Sequence, residues 1–568
     1  MNGAAAGWRA FACAWLGTFL AFVAVAHGNF ENTDTAFTMH AARALWLRGD
    51  SGLLSDGAAS EGERLGALHI ADMQHRGTRQ FGKIGANGRS YVWFPIGHVW
   101  LLVPFVAAGE ALQALAPGVE TTFRERVAPG GVFSHSYVRG HPVLTQGLIA
   151  MTVPAACAAT SLLLLFLLAR TLGAGARDAA ITALAIGGGT QFFALGRETL
   201  SDGPGLCCLL AALLMTVRAH LGTVSRATLF AAGAFAGASV LLRYQNAMLV
   251  LVCGLAIALA ARRRRRWADL AWFALGGLPF LALLLAVDTA RFGNPFDTGY
   301  PEADTWFNQP VWVGLTKLLF AAGRGIVWCS PLLWLALPLA ARARHVAQLR
   351  WLGWVLFALP MLLFATASGW QGGECWGVRY VTPGIVALLA IALPQMRPWL
   401  SHPRLWATLV GLGMFVNLTS VVAPTRGVIQ LATQAVQAEA AQEVAAGRLT
   451  AAQAEAIDPA DVLSWRPRYS PLHVNWHYAW LSQSGAFEDH AEHPRDGSAH
   501  TIEPLFGITA VDASQGLAPV RWEDRCGRHL WWIFWGDLLA VPCWLLVLPV
   551  LGLGAVLAIT GWRRLMRS

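Results

Sequence analysis

Long apolar runs recur along the whole chain, separated by short polar connections and by two long polar segments. A run of about 17 to 25 apolar residues is enough for one helix to cross a bilayer. We predict roughly twelve (about eleven to thirteen) such helices, at 8–26, 144–169, 179–196, 204–219, 227–242, 245–261, 267–287, 325–341, 351–367, 380–396, 405–423 and 531–559. The pattern therefore predicts an all-α polytopic membrane protein.

Basic residues distinguish the two faces of the predicted bundle. Arg262 to Arg266 form an unbroken basic run, which is expected on the cytoplasmic side. Alternation of the spans then places on the outer face a set of isolated basic residues: Arg197, Arg243, Arg291 and Arg379. Arginine is costly there under the positive-inside rule, so these residues are candidates for function.

The apolar stretch 93–116 is ambiguous. It contains four residues that suit a lipid-facing span poorly: Pro95, His98, Pro104 and Glu110. If this stretch does not cross, Asp34 shares the outer face with the segments 197–203 and 368–379. If it crosses, Asp34 lies on the opposite side from both. We favour a juxtamembrane or re-entrant helix.

Composition agrees with a membrane protein. The chain has 568 residues, of which 55% are hydrophobic and only 13% charged, too few for the surface of a soluble chain of this length. The net charge of +9 largely reflects orientation signals, and the arginine run suits lipid headgroups rather than nucleic acid. The first span ends in Ala24-Val25-Ala26, typical of a signal-peptidase site, but we favour an uncleaved anchor because many spans follow.

Three parts are expected along the chain. Residues 1–423 form the transmembrane catalytic module, including a first outer loop at 27–143 with juxtamembrane helices. Residues 424–530 form an extracytoplasmic segment or small domain that begins with a helical stretch, Ile429 to Ile457. Residues 531–568 hold the last span and a basic tail.

Asp34 lies shortly after the first span and just before an amphipathic helix that ends at Arg48 and Gly49. Aspartate is a preferred helix N-cap, so capping is one role for it. An ionisable residue at a membrane edge is also a functional candidate, here as a general base or a substrate ligand. The two roles are compatible.

Two further polar connections are candidate sites. In Arg197 to Pro204, Ser201 or Asp202 can cap the next helix, which leaves Arg197 and Glu198 unexplained. In the loop from Trp370 to Tyr380, glycines permit close approach of a ligand and tryptophan faces suit stacking against sugar rings. We predict these catalytic residues: Asp34 and Asp202. We predict these substrate-binding residues: Lys83, His98, Arg197, Glu198, Arg243, Trp370, Glu374, Trp376, Arg379 and Tyr380.

Two smaller features complete the candidates. His473 and His477 are one helical turn apart, but no third metal ligand is evident, so a structural role is favoured. Cys375 and Cys526 both fall in outer polar segments, where a disulfide can persist. A bridge between them is one alternative and two free thiols are the other.

Carboxylates, solitary arginines and a tryptophan-glycine loop on one face suit displacement at a carbon that carries a phosphate leaving group. A carboxylate orients the attacking hydroxyl and accepts its proton. Arginine is the good geometric match for the departing phosphate. A lipid phosphate would lie at this face, so the expected substrate is a lipid-phosphate-activated sugar.

With these residues the sequence resembles the GT-C superfamily of integral membrane glycosyltransferases, closest to protein O-mannosyltransferases and aminoarabinose transferases. The resemblance runs through most of residues 8–423. It is carried by the order and spacing of Asp34 with Ala41 to Leu45, Phe94 to Gly97, Arg197 with Glu198 and Asp202, Gly293 to Pro295, and Trp370 to Tyr380. The resemblance implies Asp34 as the base, Asp202 with Glu198 as part of the site, and Arg243 and Arg379 at the donor phosphate.

The resemblance implies a cell-envelope enzyme that moves a hexosyl or pentosyl group, with inversion, from a polyprenyl-phosphate donor to a hydroxyl of a glycan, lipid or protein. It implies a multi-pass protein of the bacterial inner (plasma) membrane, whose site faces the periplasm or cell exterior. No cofactor is expected. A divalent metal is doubtful because Thr35 follows Asp34 where many relatives have a second acid. The alternatives are a transporter or flippase of a lipid-linked glycan and a non-catalytic assembly protein.

Overall fold

The computed structural model describes most of the chain, and most of what it describes is helical. The described residues are 2–28, 30, 32–127, 142–222, 224–340, 347–373, 375–483, 505–506 and 529–567. The helices of the first half are α1 (Asn2–Ala24), α2 (Thr33–Arg48), α3 (Glu61–His75), α4 (Ile96–Leu115), α5 (Pro117–Val127), α6 (Val143–Thr171), α7 (Ala176–Gly189), α8 (Phe192–Leu195), α9 (Asp202–Leu221), α10 (Arg226–Leu242), α11 (Asn246–Arg264) and α12 (Ala268–Phe292).

The second half continues with α13 (Ala303–Trp306), α14 (Val311–Phe320), α15 (Ile326–Cys329), α16 (Leu332–Ala340), α17 (Ala347–Ala365), α18 (Thr382–Met396), α19 (Pro398–Ser401), α20 (Pro403–Val422), α21 (Thr425–Ala445), α22 (Ala451–Glu455), α23 (Pro459–Trp465), α24 (Pro471–Gln483), α25 (Trp531–Leu539) and α26 (Cys543–Arg567). Two short 3-10 turns lie at Arg379–Val381 and Pro467–Tyr469. Strands β1 (Gly82–Ile84) and β2 (Ser90–Val92) form an antiparallel hairpin in which Lys83 is opposite Tyr91. The predicted all-α polytopic fold is confirmed.

Nine helices of the described residues are long and apolar enough to cross a membrane. They are α1, α4, α6, α9, α11, α12, the stretch Arg379–Met396 that contains α18, α20 and α26. Shorter apolar helices at Arg226–Leu242, Val311–Phe320 and Leu349–Ala365 accompany them.

Two of the predicted spans are divided by prolines. The predicted span 325–341 consists of α15 and α16, separated at Ser330 and Pro331. The predicted span 531–559 consists of α25 and the longer α26, separated at Pro542. Proline has no amide hydrogen to donate and clashes with the preceding turn, so a new helix starts beside it.

Helix α4 has the length of a span but lies across the ends of other helices. At one end, a Cβ on Gly97 would come 2.6 Å from the carbonyl oxygen of Leu241, the last residue but one of α10. At the other end, a Cβ on Gly109 would come 2.6 Å from the Cα of Thr145, in the first turn of α6. Alternation of the spans puts the end of α10 and the start of α6 on one face. This contact pattern agrees with the juxtamembrane interpretation of 93–116.

The first and last spans pack together and hold the chain that leads to Asp34. A Cβ on Gly17 would meet the backbone nitrogen of Ala558 at 2.0 Å, so the two backbones approach as closely as small residues allow. Beyond α1, the amide of Gly28 donates to the carbonyl of His529 at 3.0 Å, and the amide of Trp531 donates to that of Ala26 at 3.1 Å. These bonds fix where the segment before α2 begins.

Helices α21, α23 and α24 form a separate apolar cluster around Val428, Leu431 and Tyr478. The predicted helical stretch from Ile429 to Ile457 is divided, because α21 ends at Ala445 and Gly447 follows with a positive φ of 71°. The cluster contacts the preceding spans through Asn475, whose amide donates to the Thr419 carbonyl at 2.9 Å. The division of the chain at 423 and 530 stays a prediction.

Candidate active site

The start of α2 places Asp34 in a first helical turn. The N-cap is Asn32, whose side-chain oxygen accepts from the Asp34 amide at 2.7 Å. The capping role predicted for Asp34 is therefore wrong, and its carboxylate is available for other contacts. The predicted end is correct, because Gly49 caps the helix in the left-handed conformation. The Asn32 amide also donates to the Cys375 sulfur at 3.2 Å, which joins this turn to the tryptophan-glycine loop.

Four charged residues from distant parts of the chain form one network. The Arg379 guanidinium lies 2.9 Å from the Asp34 carboxylate and 3.9 Å from that of Asp202. Asp202 Oδ2 also accepts from Arg243. We call Asp34, Asp202, Arg243 and Arg379 the charge network. It contains two acids and two bases, so its net charge is zero, which makes burial at a membrane edge tolerable.

A cavity of about 540 Å³ opens beside the charge network. Five of the predicted site residues line it: Asp34, His98, Arg243, Arg379 and Tyr380. The two predicted catalytic acids differ here. About 20% of the Asp34 side chain is exposed, whereas Asp202 is 1% exposed and does not line the cavity. Asp202 is placed where it contacts two arginines rather than a ligand.

The residues Arg197 and Glu198 lie behind the cavity and join chain segments. Arg197 donates to the Val25 carbonyl at 2.6 Å and to the Ser420 carbonyl. Glu198 accepts from the Trp376 amide at 2.9 Å. They therefore connect the end of α1, the turn before α9 and the tryptophan-glycine loop.

The tryptophan-glycine loop is itself held by buried polar contacts. The Trp376 indole donates to the Asn417 side-chain oxygen at 3.0 Å, and Trp370 is fully buried. Arg324, which the sequence did not single out, donates to the Gly373 carbonyl at 2.6 Å. Neither tryptophan lines the cavity. Glu374 lies outside the described residues.

Lys83 also lies away from the cavity lining. It forms an ion pair with Asp297, in the connection between α12 and α13. Burial opposes ionisation of Asp297, but hydrogen bonds from Lys83 and the Gly299 amide, with the charge of Lys83, bring its pKa below the usual value. The pair joins the β-hairpin to the loop that carries part of the cavity wall.

Tyr380 supports both arginines of the charge network. The Arg243 and Arg379 guanidinium carbons lie 5.4 Å and 5.2 Å from the centre of its ring. The ring stacks on Phe364 with centroids 4.6 Å apart. A cation over an aromatic face is attracted to it, so Tyr380 holds two like charges near each other.

Three aromatic side chains, Trp93, Tyr300 and Trp306, form one wall of the cavity, and none of them was among the predicted site residues. Trp93 and Tyr300 stack with centroids 5.0 Å apart, and Trp306 meets Tyr300 edge-on at 5.9 Å. Burial raises the pKa of Tyr300, so its phenol stays protonated at neutral pH. Loop residues have no helical or strand periodicity, and only their aromatic character in outer connections could have drawn attention to them.

The metal candidates of the sequence are His473 and His477, and the thiol candidate among the described residues is Cys375. His473 and His477 lie with ring centroids 6.1 Å apart. No group of three or more His, Cys, Asp or Glu side chains suited to a metal ion occurs within the described ranges. Burial raises the pKa of the Cys375 thiol, whose predicted partner Cys526 lies outside the described residues.

The geometry defines a class: a multi-pass helical membrane protein with a charged and aromatic cavity at one end of its bundle. In a comparison with known protein families, one family model matches part of the chain. Residues 145–287 match the family model described as "Dolichyl-phosphate-mannose-protein mannosyltransferase". This match, over about a quarter of the chain, confirms the resemblance to GT-C membrane glycosyltransferases that the sequence predicted. No curated protein sequence gives a significant match.

Comparison with solved structures finds two matches, both of ArnT from Cupriavidus metallidurans. The apo structure is 16% identical, covers 99% of this chain and 76% of its own, and has a TM-score of 0.42. The structure bound to undecaprenyl phosphate is 13% identical, covers 98% of this chain and 75% of its own, and has a TM-score of 0.44.

Proposed function

We propose that this protein is a membrane glycosyltransferase that transfers a sugar, with inversion, from a polyprenyl-phosphate donor to an acceptor hydroxyl. The observation that carries the proposal is the Asp34 carboxylate, which lines the cavity 2.9 Å from Arg379. A proton acceptor and a phosphate-binding cation are thereby adjacent, as displacement at the anomeric carbon requires. The family-model match to a mannosyltransferase family supports the reaction class.

In the proposed reaction one bond forms as another breaks, and residues of this chain take the proton and hold the leaving phosphate. The acceptor oxygen forms a bond to the anomeric carbon while the bond from that carbon to the phosphate oxygen breaks. Asp34 takes the hydroxyl proton, and the polyprenyl phosphate leaves with the bonding electrons. Arg379 and Arg243 donate to the phosphate and stabilise its growing charge, and Asp202 holds both guanidiniums. One displacement inverts the anomeric configuration.

The transporter alternative has less support among the described residues. It draws on charges within apolar stretches, chiefly Glu110 and Asp537. Glu110 pairs with Arg43 of α2 at 2.6 Å, in the helix that lies across other helix ends. Asp537 lies in α25, before the last long span. Glu110 is thus neutralised by a protein partner, and Asp537 lies near the start of the last apolar segment, so neither charge supports a transport path.

The test is transfer of labelled sugar from synthetic polyprenyl-phosphate sugars by the purified protein. We expect the product to have the opposite anomeric configuration to the donor, and Asp34→Asn to lower the rate by about 10²- to 10⁴-fold because the proton acceptor is lost. An unchanged rate in Asp34→Asn would remove the base assignment. Retention of configuration would remove the single displacement. Transport without transfer would favour the flippase.

A further inference from the structure

Besides Arg243 and Arg379, whose Nε atoms are also unbonded, four polar side chains that line the cavity have an atom with no hydrogen-bond partner in the part of the chain that the structure describes. They are the ring nitrogen Nε2 of His98, Nε2 of Gln245, the indole nitrogen of Trp306 and Oε1 of Gln371. Leaving a buried polar atom unbonded is costly, so such atoms are uncommon without a reason. Four of them around one cavity indicate that a ligand completes their bonding.

Two of the four adjoin Arg243. Gln245 follows it by two residues and precedes the first turn of α11. His98 follows Gly97, whose backbone abuts Leu241 immediately before the same turn. Both side chains line the same cavity as Arg243, whose guanidinium is proposed to contact the donor phosphate.

The other two adjoin the tryptophan-glycine loop, because Gln371 is part of it and Trp306 of α13 packs against Gly369 just before it. Gly372 follows Gln371 and packs so closely that a Cβ there would lie 2.8 Å from Arg379 Cγ. At Gly369, a Cβ would be 3.9 Å from the indole nitrogen of Trp306. The four polar side chains thus come from separate elements and line the cavity together with the two arginines of the charge network.

The chemistry of the set suits a ring that bears hydroxyl groups. The Gln245 amide nitrogen and the Trp306 indole donate hydrogen bonds, the Gln371 oxygen accepts them, and an imidazole nitrogen does either. A hydroxyl both donates and accepts. The faces of Trp93, Tyr300 and Trp306 offer flat apolar surfaces for the carbon-bound hydrogens of such a ring.

We propose that His98, Gln245, Trp306 and Gln371, here called the hydroxyl subsite, bind the hydroxyl groups of the donor's sugar ring and determine which sugar is transferred. The inference rests on the proposed function. The anomeric carbon is one bond from a phosphate oxygen, so a phosphate held by Arg243 and Arg379 brings the ring to the side chains beside them. A site that hydrogen-bonds a hydroxyl discriminates strongly against a sugar lacking it.

The experiment compares two lipids by their affinity for the purified full-length protein. One is a short-chain polyprenyl phosphate. The other is the same phosphate linked to mannose, glucose or aminoarabinose, whichever of the three binds the wild-type protein most tightly. Gln245→Leu and Gln371→Leu remove one amide each. Gln113→Leu in α4 is the matched control, because its Oε1 also lacks a partner among the described residues but does not line the cavity.

We expect each subsite variant to bind the sugar-bearing lipid about 3- to 10-fold more weakly, the value of one hydrogen bond, and the bare phosphate as wild type does. The control should bind both lipids normally. A donor whose sugar lacks the hydroxyl bound by the removed amide should bind wild type and that variant equally. In both cases the same hydrogen bond is missing.

Three outcomes would overturn the inference. Equal weakening of both lipids would mean that the amides support the fold or the phosphate site. Unchanged affinity for the sugar-bearing lipid would mean that the subsite does not contact the donor's ring. Wild-type protein that binds neither lipid would contradict the proposed function itself, which separates that failure from failure of the subsite alone.

Discussion

The turn at Asp34 and the turn at Asp202 have the same sequence logic but different surroundings. Each follows an apolar helix, and each places an aspartate in the first turn of the next one. Each aspartate pairs with an arginine. Asp34 nevertheless lines the cavity, whereas Asp202 is buried behind it. Two equivalent motifs can therefore serve different purposes, one suited to chemistry and the other to positioning.

The two aspartates differ in exposure because they contact different sets of arginines in the charge network. Asp202 contacts both Arg243 and Arg379, so ligand has no access to its bonded oxygen. Asp34 contacts only Arg379 among the residues of the charge network, and part of its carboxylate faces the cavity. The direction of the arginines decides which acid meets a substrate.

The largest expected difference is between Asp34→Asn and Asp202→Asn. Asp202→Asn leaves the buried Arg243 without a compensating charge, and loss of one partner of a buried pair costs about 3–5 kcal/mol. We expect a large loss of stability to unfolding and weaker binding of polyprenyl phosphate. Asp34→Asn should lose less of both while losing transfer, because Asp34 is about 20% exposed and Arg379 keeps Asp202 nearby. Unfolding in detergent and donor affinity measure the two effects, and identical profiles for the two variants would erase the distinction.

A smaller effect is expected at Tyr380, whose ring supports both arginines. Tyr380→Leu removes two cation–π contacts, which are worth about 0.5–2 kcal/mol each according to exposure. We expect a several-fold weaker affinity for polyprenyl phosphate, measured by titration. Tyr380→Phe keeps the ring and should behave as wild type. A Phe variant as weak as the Leu variant would assign the effect to the hydroxyl instead.

The smallest effect is expected at the ion pair of Lys83 and Asp297, away from the charge network. Each side chain is about 21% exposed, and such a pair contributes about 0.2–1 kcal/mol. Lys83→Ala should therefore lower the unfolding temperature slightly and leave donor affinity unchanged. A large loss of donor affinity would restore Lys83 to the binding site.

The same pair has a defined pH dependence. The folded-state pKa of Asp297 is lowered, so its stabilising contribution is present above the unfolded pKa and is lost as pH falls through the lower folded value. The stability difference between wild type and Lys83→Ala should thus be constant near neutral pH and shrink below about pH 4. A difference that grows on acidification would contradict this sign.

Much of the site could be predicted from ionisable residues that lie where a membrane protein usually avoids them. Asp34, Arg243 and Arg379 stood out because ionisable residues at the ends of apolar helices require a reason, and all three line the cavity. Arg197 and Glu198 stood out as charges that helix capping leaves unexplained, but they contact other parts of the chain, as does the predicted residue Lys83. An unusual charge indicates that a partner exists, but not whether the partner is protein or substrate.

The sequence by itself determined the helical membrane class, because runs of apolar residues must satisfy their backbone groups internally in lipid. It also determined the ends of α2, through a cap residue and a glycine, although it assigned the cap to the wrong side chain. Only the tertiary structure brought Gly97 of α4 to the end of α10 and Gly109 to the start of α6. It alone brought Asp34 to Arg379, 345 positions away, since contacts between distant segments depend on how whole helices pack and leave no local pattern.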